Sequence, residues 1–347
     1  MKALTKKNLW LLLLALAVSA VLAACGGSGS SGSNEEGTGD EEKKHKLKMS
    51  VTVSDSSTWY EAAKQLADNV AAETDGRITI DVFSNEQLSG GDSGKAVEGL
   101  AKGSIDLTFN STIIYSIMDP RFGAPSAPFL YGNHEEVDAA FNGEGGEMLK
   151  GLLEEKGVHA LGFGENGFRQ LTNSKVEVKS PSDLKGLKIR IPGITMYTDL
   201  YRELGTDPTT MTFSEVFTSL QQGAIDGQEN PIDVISSSKL NEVQEYLTLW
   251  NYSYDPLVLG MNKKLYDSLS EADREMFDRL GKEAAAYQVK IAREKEVAQI
   301  ADLEKKGMKM YTPTEEEIQL FKGASQPIYD KYTEIWGEDL LKALSPQ

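Results

Sequence analysis

An α/β protein of two domains is what this sequence predicts, and three observations carry the prediction. From Lys48 onward, short stretches with the two-residue alternation of strands are interleaved with amphipathic helical stretches. Once a signal-like leader and a polar tether are set aside, about 300 residues remain, enough for two domains and a large core. The third observation is an internal echo: LAKGSIDLTFN at 100–110 and LQQGAIDGQEN at 220–230 share Leu, Gly, Ile, Asp and Asn at the same offsets. Each copy reads as a helix end, a glycine turn and a strand. The echo is either chance, since Gly-x-Ile-Asp is a common string, or the mark of two halves presenting equivalent strand ends to one cleft. Open α/β sheets hold ligands just beyond the carboxyl ends of their strands, which on the second reading places Asn110 and Asn230 there.

Taken in order, the chain starts with Lys2, Lys6 and Lys7, an apolar run from Leu9 to about Ala20, and Ala23-Ala24 before Cys25. That is the order of a secretory signal, not of a spanning helix. Leu22-Ala23-Ala24-Cys25 resembles the lipobox of bacterial lipoproteins, which implies cleavage after residue 24 and a lipid on Cys25. The alternative is an ordinary signal peptide followed by an incidental cysteine. Cys25 is the sole cysteine, so no internal disulfide is available and the fold must stand on its core. Residues 26–46 offer no aliphatic or aromatic side chain to bury and read as a hydrated tether. LKMSVTV is then a strand, Trp59 to Ala72 a helix closed by Asp75-Gly76, RITIDVF a strand, Ser93 to Ala101 a helix and SIDLTFN a third strand. VHALGFG, KIRIP, AIDGQ and LVLGMN supply later strands. Tyr197, Leu200, Tyr201 and Leu204 share one face of a helix that Gly205 ends. Thr212 with Glu215 has the spacing of a capping box. From about Ser270 to Lys306 runs a long charged helix with only Gly281 to interrupt it.

Composition removes several function classes. Formal net charge is -17, and losing a leader that carries three lysines and no acids brings the remainder near -20, which disfavours nucleic acid and anionic lipid as partners. After the leader no apolar run approaches the roughly 20 residues that span a bilayer, leaving an acyl chain as the sole membrane element. His45, His134 and His159 are scattered without metal-ligand spacing, so no metal or thiol site is expected. Gly162-Phe-Gly-Glu-Asn-Gly167 matches GxGxxG, yet the FRQLTNSKVEV that follows is extended where a dinucleotide site needs a helix to open. Nothing signals catalysis or a cofactor.

Arginine in apolar or glycine-rich company stands out instead. In LKGLKIRIPG, Leu187, Ile189 and Ile191 alternate with Lys188 and Arg190 before Pro192 closes the strand, and Arg169 follows Asn166-Gly167-Phe168. A guanidinium fork matches a carboxylate. Each arginine is therefore either a clamp for an acidic ligand or one half of an internal ion pair, and spacing alone does not choose.

Two long segments, GFRQLTNSKVEVKSPSDLKGLKIRIPG at 167–193 and LGTDPTTMTFSEVFTSLQQGAIDGQENP at 204–231, resemble the solute-binding proteins of tripartite ATP-independent periplasmic (TRAP) transporters, C4-dicarboxylate-binding-like family. ETDGRITIDVFSNEQLSGG and KGSIDL look like the same family's first domain, and the resemblance spans about 48–335. It implies a two-domain periplasmic-binding-protein-like fold with crossing hinge strands and a long helix spanning both domains. The implied division is 47–167 plus about 256–290, and 168–255 plus about 291–347, after a 1–24 signal and a 25–46 tether. It also implies capture of a small organic acid, a C4-dicarboxylate or sugar acid, for a sodium-driven membrane permease, by a monomeric, non-enzymatic protein. Residue by residue, the resemblance implies Arg190 as the bidentate carboxylate clamp, Arg169 as a second carboxylate or hydroxyl contact, Asn230 as a hydrogen-bonding group across the cleft, and Phe213 packed beside it. Trp59, Asn110 and Ser111 join them from the first domain, with Trp59 alternatively a helix-start staple. Some relatives carry an acidic residue near Ser111, and its absence argues against sialic acid. A sensor handing its closed state to a membrane receptor, or a surface enzyme acting on acidic sugars, are the rival readings. The tether and lipobox suit the outer face of a Gram-positive cell membrane, or a periplasm in a Gram-negative one.

Overall fold

The structure, a computed structural model, describes residues 43–346. The leader, Cys25 and most of the tether lie outside the described residues. The first half runs β1 (His45–Val51), α1 (Thr58–Glu73), β2 (Ile78–Phe83), α2 (Ser93–Lys102), β3 (Leu107–Ser111) and the short α3 (Thr112–Tyr115). After α4 (His134–Asn142) and α5 (Glu144–Glu155) comes the long strand β4 (Val158–Asn173). The second half is β5 (Lys188–Ile191), α6 (Thr195–Glu203), β6 (Asp207–Thr210), α7 (Val216–Gln221), β7 (Gly227–Pro231), α8 (Ile232–Ser237) and β8 (Tyr246–Thr248). The chain returns through β9 (Tyr254–Asn262) and α9 (Lys263–Asp267). It then follows α10 (Glu271–Lys305), β10 (Lys309–Tyr311), α11 (Glu315–Trp336) and α12 (Glu338–Leu344).

The strands order as β2-β1-β3-β9-β4-β7-β5-β6, with β8 also on β4 and β10 outside β8. This is the two-domain α/β fold with crossing strands. In the first half β1 lies between β2 and β3, parallel to both; in the second β5 lies between β6 and β7, parallel to both. β3 then pairs antiparallel with β9, and β7 with β4. The early part of β4 runs along β9, whereas residues 169–173 run along β7 and β8, so β4 belongs to both halves. The string VHALGFG predicts a strand that ends at Gly164. It continues because two register shifts, at Ala160/Gly162 and Glu165/Gly167, let one strand bend between two sheets, and Gly167 supplies the positive φ of 107° at the second.

The internal echo is structural. The Asp106 N–H donates to the Lys48 carbonyl at 3.2 Å while the Lys48 N–H donates to Asp106 Oδ2 at 2.8 Å. The Asp226 N–H likewise donates to the Lys188 carbonyl at 2.8 Å, and the Lys188 N–H to Asp226 Oδ2 at 2.9 Å. In each half the aspartate ties the incoming strand to the start of its neighbour. The registers agree too: Ser50 lies opposite Thr108, and Arg190 opposite Gln228, so Ser50 and Arg190 occupy equivalent places.

The 35-residue α10 packs along β4. Where it crosses, side chains are missing on both surfaces: a Cβ on Gly162 would sit 2.7 Å from that of Ala285, and one on Gly281 2.5 Å from that of Leu161. Gly164 likewise lies against Gln288 and Phe109. The first two glycines of the GxGxxG string thus serve close packing of the strand against the helix and Phe109. One apolar core surrounds Met49, Val51, Trp59, Leu66, Phe109 and Phe277. A larger one gathers Tyr197, Tyr201, Trp250, Phe321 and Trp336 beneath α6 and α11.

Three local expectations shift. β1 begins at His45, inside the stretch read as tether, because residues 45 and 46 pair with Ile78 and Thr79. The AIDGQ strand begins only at Gly227, since Asp226 is occupied as the tie. No capping box forms at Thr212; its hydroxyl donates to Glu215 Oε2 at 2.8 Å, residues 213–215 make a 3-10 turn, and α7 starts at Val216. Among the described residues no helix is long and apolar enough to cross a membrane, and no group of three or more His, Cys, Asp or Glu is placed to hold a metal ion.

Candidate ligand-binding cleft

The carboxyl ends of β3, β5 and β7 converge with the middle of β4 and the start of α1 around a cavity of about 50 Å³. Trp59, Asn110, Ser111, Arg169, Arg190, Phe213 and Asn230 all contribute to its wall. The mouth is drawn together by contacts between the rims. Ser214 Oγ donates to the Gly91 carbonyl at 3.2 Å, Ser54 Oγ to the Ser237 carbonyl at 3.2 Å, and the Thr58 hydroxyl to Asp233 Oδ2 at 3.0 Å.

The two arginines have opposite environments. Arg169 is 2% exposed, and its guanidinium is gripped by Glu229 and Asp255. Nη2 also donates to Glu229 Oε1 at 2.9 Å and to Asn230 Oδ1 at 3.2 Å. Burial opposes its charge, but the two carboxylates outweigh burial and hold its pKa well above the ordinary value. Arg190 is 4% exposed and donates from Nε and Nη2 to the Met211 carbonyl, at 3.2 and 2.8 Å. The Phe213 ring lies 5.8 Å from its guanidinium carbon. Among the described residues no carboxylate forms an ion pair with it, and burial pushes its pKa down to about 10. Arg190 is thus a buried cation that faces a cavity and has no ion-pair partner among the described residues.

The other wall residues bond chiefly to one another and to neighbouring carboxylates. Asn230 receives Arg169 on Oδ1 and donates from Nδ2 to Gln228 Oε1 at 2.5 Å, which leaves a second amide hydrogen. Asn110 donates to Glu86 Oε1 at 3.0 Å and accepts from the Ser111 N–H at 3.0 Å. The Ser111 hydroxyl donates to Asp255. Trp59 is 2% exposed and its buried Nε1–H has no partner. Sequence reasoning missed Asn166, a wall residue that donates to Asp255 Oδ2 at 2.7 Å and whose Oδ1 is unpaired; its place inside the GxGxxG string was the available signal. It also missed Glu229 and Asp255, whose partnership with Arg169 joins residues 60 and 86 positions away.

A cleft between two similar α/β halves, closed over one buried unpaired arginine, defines an anion-binding protein of the periplasmic-binding type. The chain belongs to the bacterial extracellular solute-binding protein family 7 (DctP), whose model matches residues 49–335. It is similar to a TRAP periplasmic solute-binding protein from Ralstonia eutropha H16, solved with (S)-2-acetolactate. Identity is 34% and the TM-score 0.84, over 86% of this chain and 97% of that one. It is also similar to the sugar acid binding protein DctPAm from Advenella mimigardefordensis in complex with galactonate (30%, TM-score 0.84, 88% and 97% covered). A TRAP solute-binding protein from Sulfurospirillum deleyianum with bound succinate is a third relative (28%, TM-score 0.82, 87% and 98% covered). The chain is thus a TRAP-type solute-binding protein of a family that binds small organic acids.

Proposed function

We propose that this protein captures a small organic acid in the cleft without altering it and delivers it to a sodium-coupled TRAP membrane permease. It works as a monomer held at the outer face of the cell membrane by a lipid on Cys25. The observation that carries the reading is Arg190: a buried, unpaired guanidinium facing a cavity is a place for a carboxylate. Arg190 takes the carboxylate with its fork. Arg169, already neutralised, fixes Asn230, whose spare amide hydrogen meets the ligand. Phe213 and Trp59 close over the remainder, and Asn110 with Ser111 builds the opposite wall. The acids held by the three related structures support this reading.

Titration calorimetry of residues 43–347, which keep the whole of β1, against a panel of organic acids tests it. At least one acid is expected to bind, and Arg190→Lys, which keeps the charge but loses the fork, is expected to weaken it tenfold or more. An unchanged affinity would remove Arg190 from the site. Acid recovered intact after denaturation supports the absence of catalysis, and loss of Cys25→Ala protein from the membrane fraction supports the anchor.

A further inference from the structure

The two halves of the cleft are built on the same register but carry opposite electrostatic character. Where the second half places Arg190 on its central strand, the first half places Ser50, whose hydroxyl donates to Glu86 Oε2 at 2.7 Å. Glu86 is 2% exposed. It also accepts from the Thr52 hydroxyl at 2.8 Å and from Asn110 Nδ2 at 3.0 Å, and both donors belong to residues of the cavity wall. An acidic group therefore backs the wall across from the arginine, its pKa pushed up by burial and pulled back by the Ser50, Thr52, Ser93 and Asn110 donors. Arg169 has no charge to offer a second anionic group, because Glu229 and Asp255 hold it. Much of the remaining lining is apolar, with Val53, Ile113, Ile114, Pro192 and Val234 around the cavity. The spare polar groups of the wall are the Trp59 Nε1–H, one amide hydrogen each on Asn110, Asn166 and Asn230, and the unpaired Asn166 Oδ1. The innermost space is small, about 50 Å³, and Arg190, Ile113, Ile114, Pro192 and Phe213 also border a wider cavity of about 530 Å³.

We infer that the cleft selects a short monocarboxylate with one oxygen substituent and an alkyl remainder, and that Glu86 sets this choice by rejecting a second carboxylate. The inference rests on the reading of the cleft as an organic-acid site. The carboxylate pairs with Arg190, the oxygen substituent accepts from the spare donors, and the alkyl part fills the apolar wall in front of Asn110. A dicarboxylate of similar length sets its second charge against Glu86 with no cation to meet it. A sugar acid must set several of its hydroxyls against the apolar side chains of Val53, Ile113, Ile114, Pro192 and Val234.

Calorimetry with 2-hydroxy-3-methylbutanoate, succinate and gluconate on the wild-type soluble protein and on Glu86→Gln decides the matter. The wild type is expected to bind the hydroxy acid at least tenfold more tightly than either of the others. In Glu86→Gln the gap to succinate is expected to narrow several-fold while the gap to gluconate stays. Succinate or gluconate binding as tightly as the hydroxy acid in the wild type would overturn the class. An unchanged succinate gap in a folded Glu86→Gln would remove Glu86 as its cause, with Glu86→Ser as the second variant if the amide disturbs folding. If none of a wider panel of acids binds the wild type, the failure lies instead with the organic-acid reading itself.

Discussion

Replacing Arg190 by methionine separates a ligand clamp from a structural residue. Burial holds the guanidinium's pKa down at about 10, against an ordinary value of 12.5 or above. At about 1.4 kcal/mol per pH unit, that is an uncompensated cost on the order of 3 kcal/mol. Below pH 10 the group is charged in both folded and unfolded chains, so the whole cost is present at neutral pH and is relieved only as pH rises from about 10 towards the unfolded value. Methionine removes the charge, keeps most of the volume and leaves the Met211 carbonyl without its donor, a loss of about 1–3 kcal/mol. The ligand-free variant is therefore expected to be as stable as the wild type or more stable by about 2 kcal/mol. Acid binding loses two charge-assisted hydrogen bonds at about 1.5–3 kcal/mol each, or roughly 10²- to 10⁴-fold in affinity. Urea denaturation of the ligand-free protein and calorimetry with the best-binding acid read the two quantities. A ligand-free variant destabilised by more than about 2 kcal/mol, or one whose affinity stays within threefold, would refute the reasoning.

The other arginine is expected to behave in the reverse manner. Arg169→Met strands Glu229 and Asp255 in the interior and should lower unfolding free energy by about 3–5 kcal/mol, seen as an earlier urea midpoint. Gly281→Leu forces a side chain into Leu161 where α10 meets β4, and a fall in the thermal midpoint equivalent to about 1–3 kcal/mol or more is expected. Asp119 is held below the usual carboxylate range chiefly by the Arg121 guanidinium, with Lys156 adding to it. Its contribution to stability is complete above the unfolded carboxyl value of about 4 and is lost as pH falls through the depressed folded value. Asp119→Asn should therefore lower stability at neutral pH and flatten its decline in acid, measured by denaturation at a series of pH values.

The parts of this fold that local chemistry dictates were legible in the sequence. Alternation marked β1, β2 and β5, and the 197–204 face marked α6 with Gly205 after it. The repeated Gly-x-Ile-Asp gave away two equivalent strand entries because the same aspartate-to-backbone tie is needed in both halves. What depended on distant partners was not legible. Arg169 and Arg190 sit in similar local strings, and the difference between them lies in Glu229 and Asp255, which chain folding alone brings to Arg169. In the same way the GxGxxG string read only as a failed match to a dinucleotide site, because the helix that needs Gly162 and Gly164 lies more than a hundred residues later. Glu86 followed two unremarkable polar residues, and only the return of β1 and β3 beside it gave its carboxylate a site to face.

The glycine-lined crossing of α10 over β4 also has a mechanical meaning. Thirty-five residues at 1.5 Å each make a rod of about 52 Å, seated where β4 passes from one sheet to the other. Gln288 pins the crossing, its Oε1 accepting from the Glu165 N–H at 2.7 Å and its Nε2 donating to the Glu165 carbonyl at 2.8 Å, so it acts as a pivot and not as a sliding surface. Any change in the angle between the two sheets therefore moves the ends of the rod relative to the body beneath it. The state of the cleft is thereby expressed at the ends of the rod, at a distance from the acid-binding arginine.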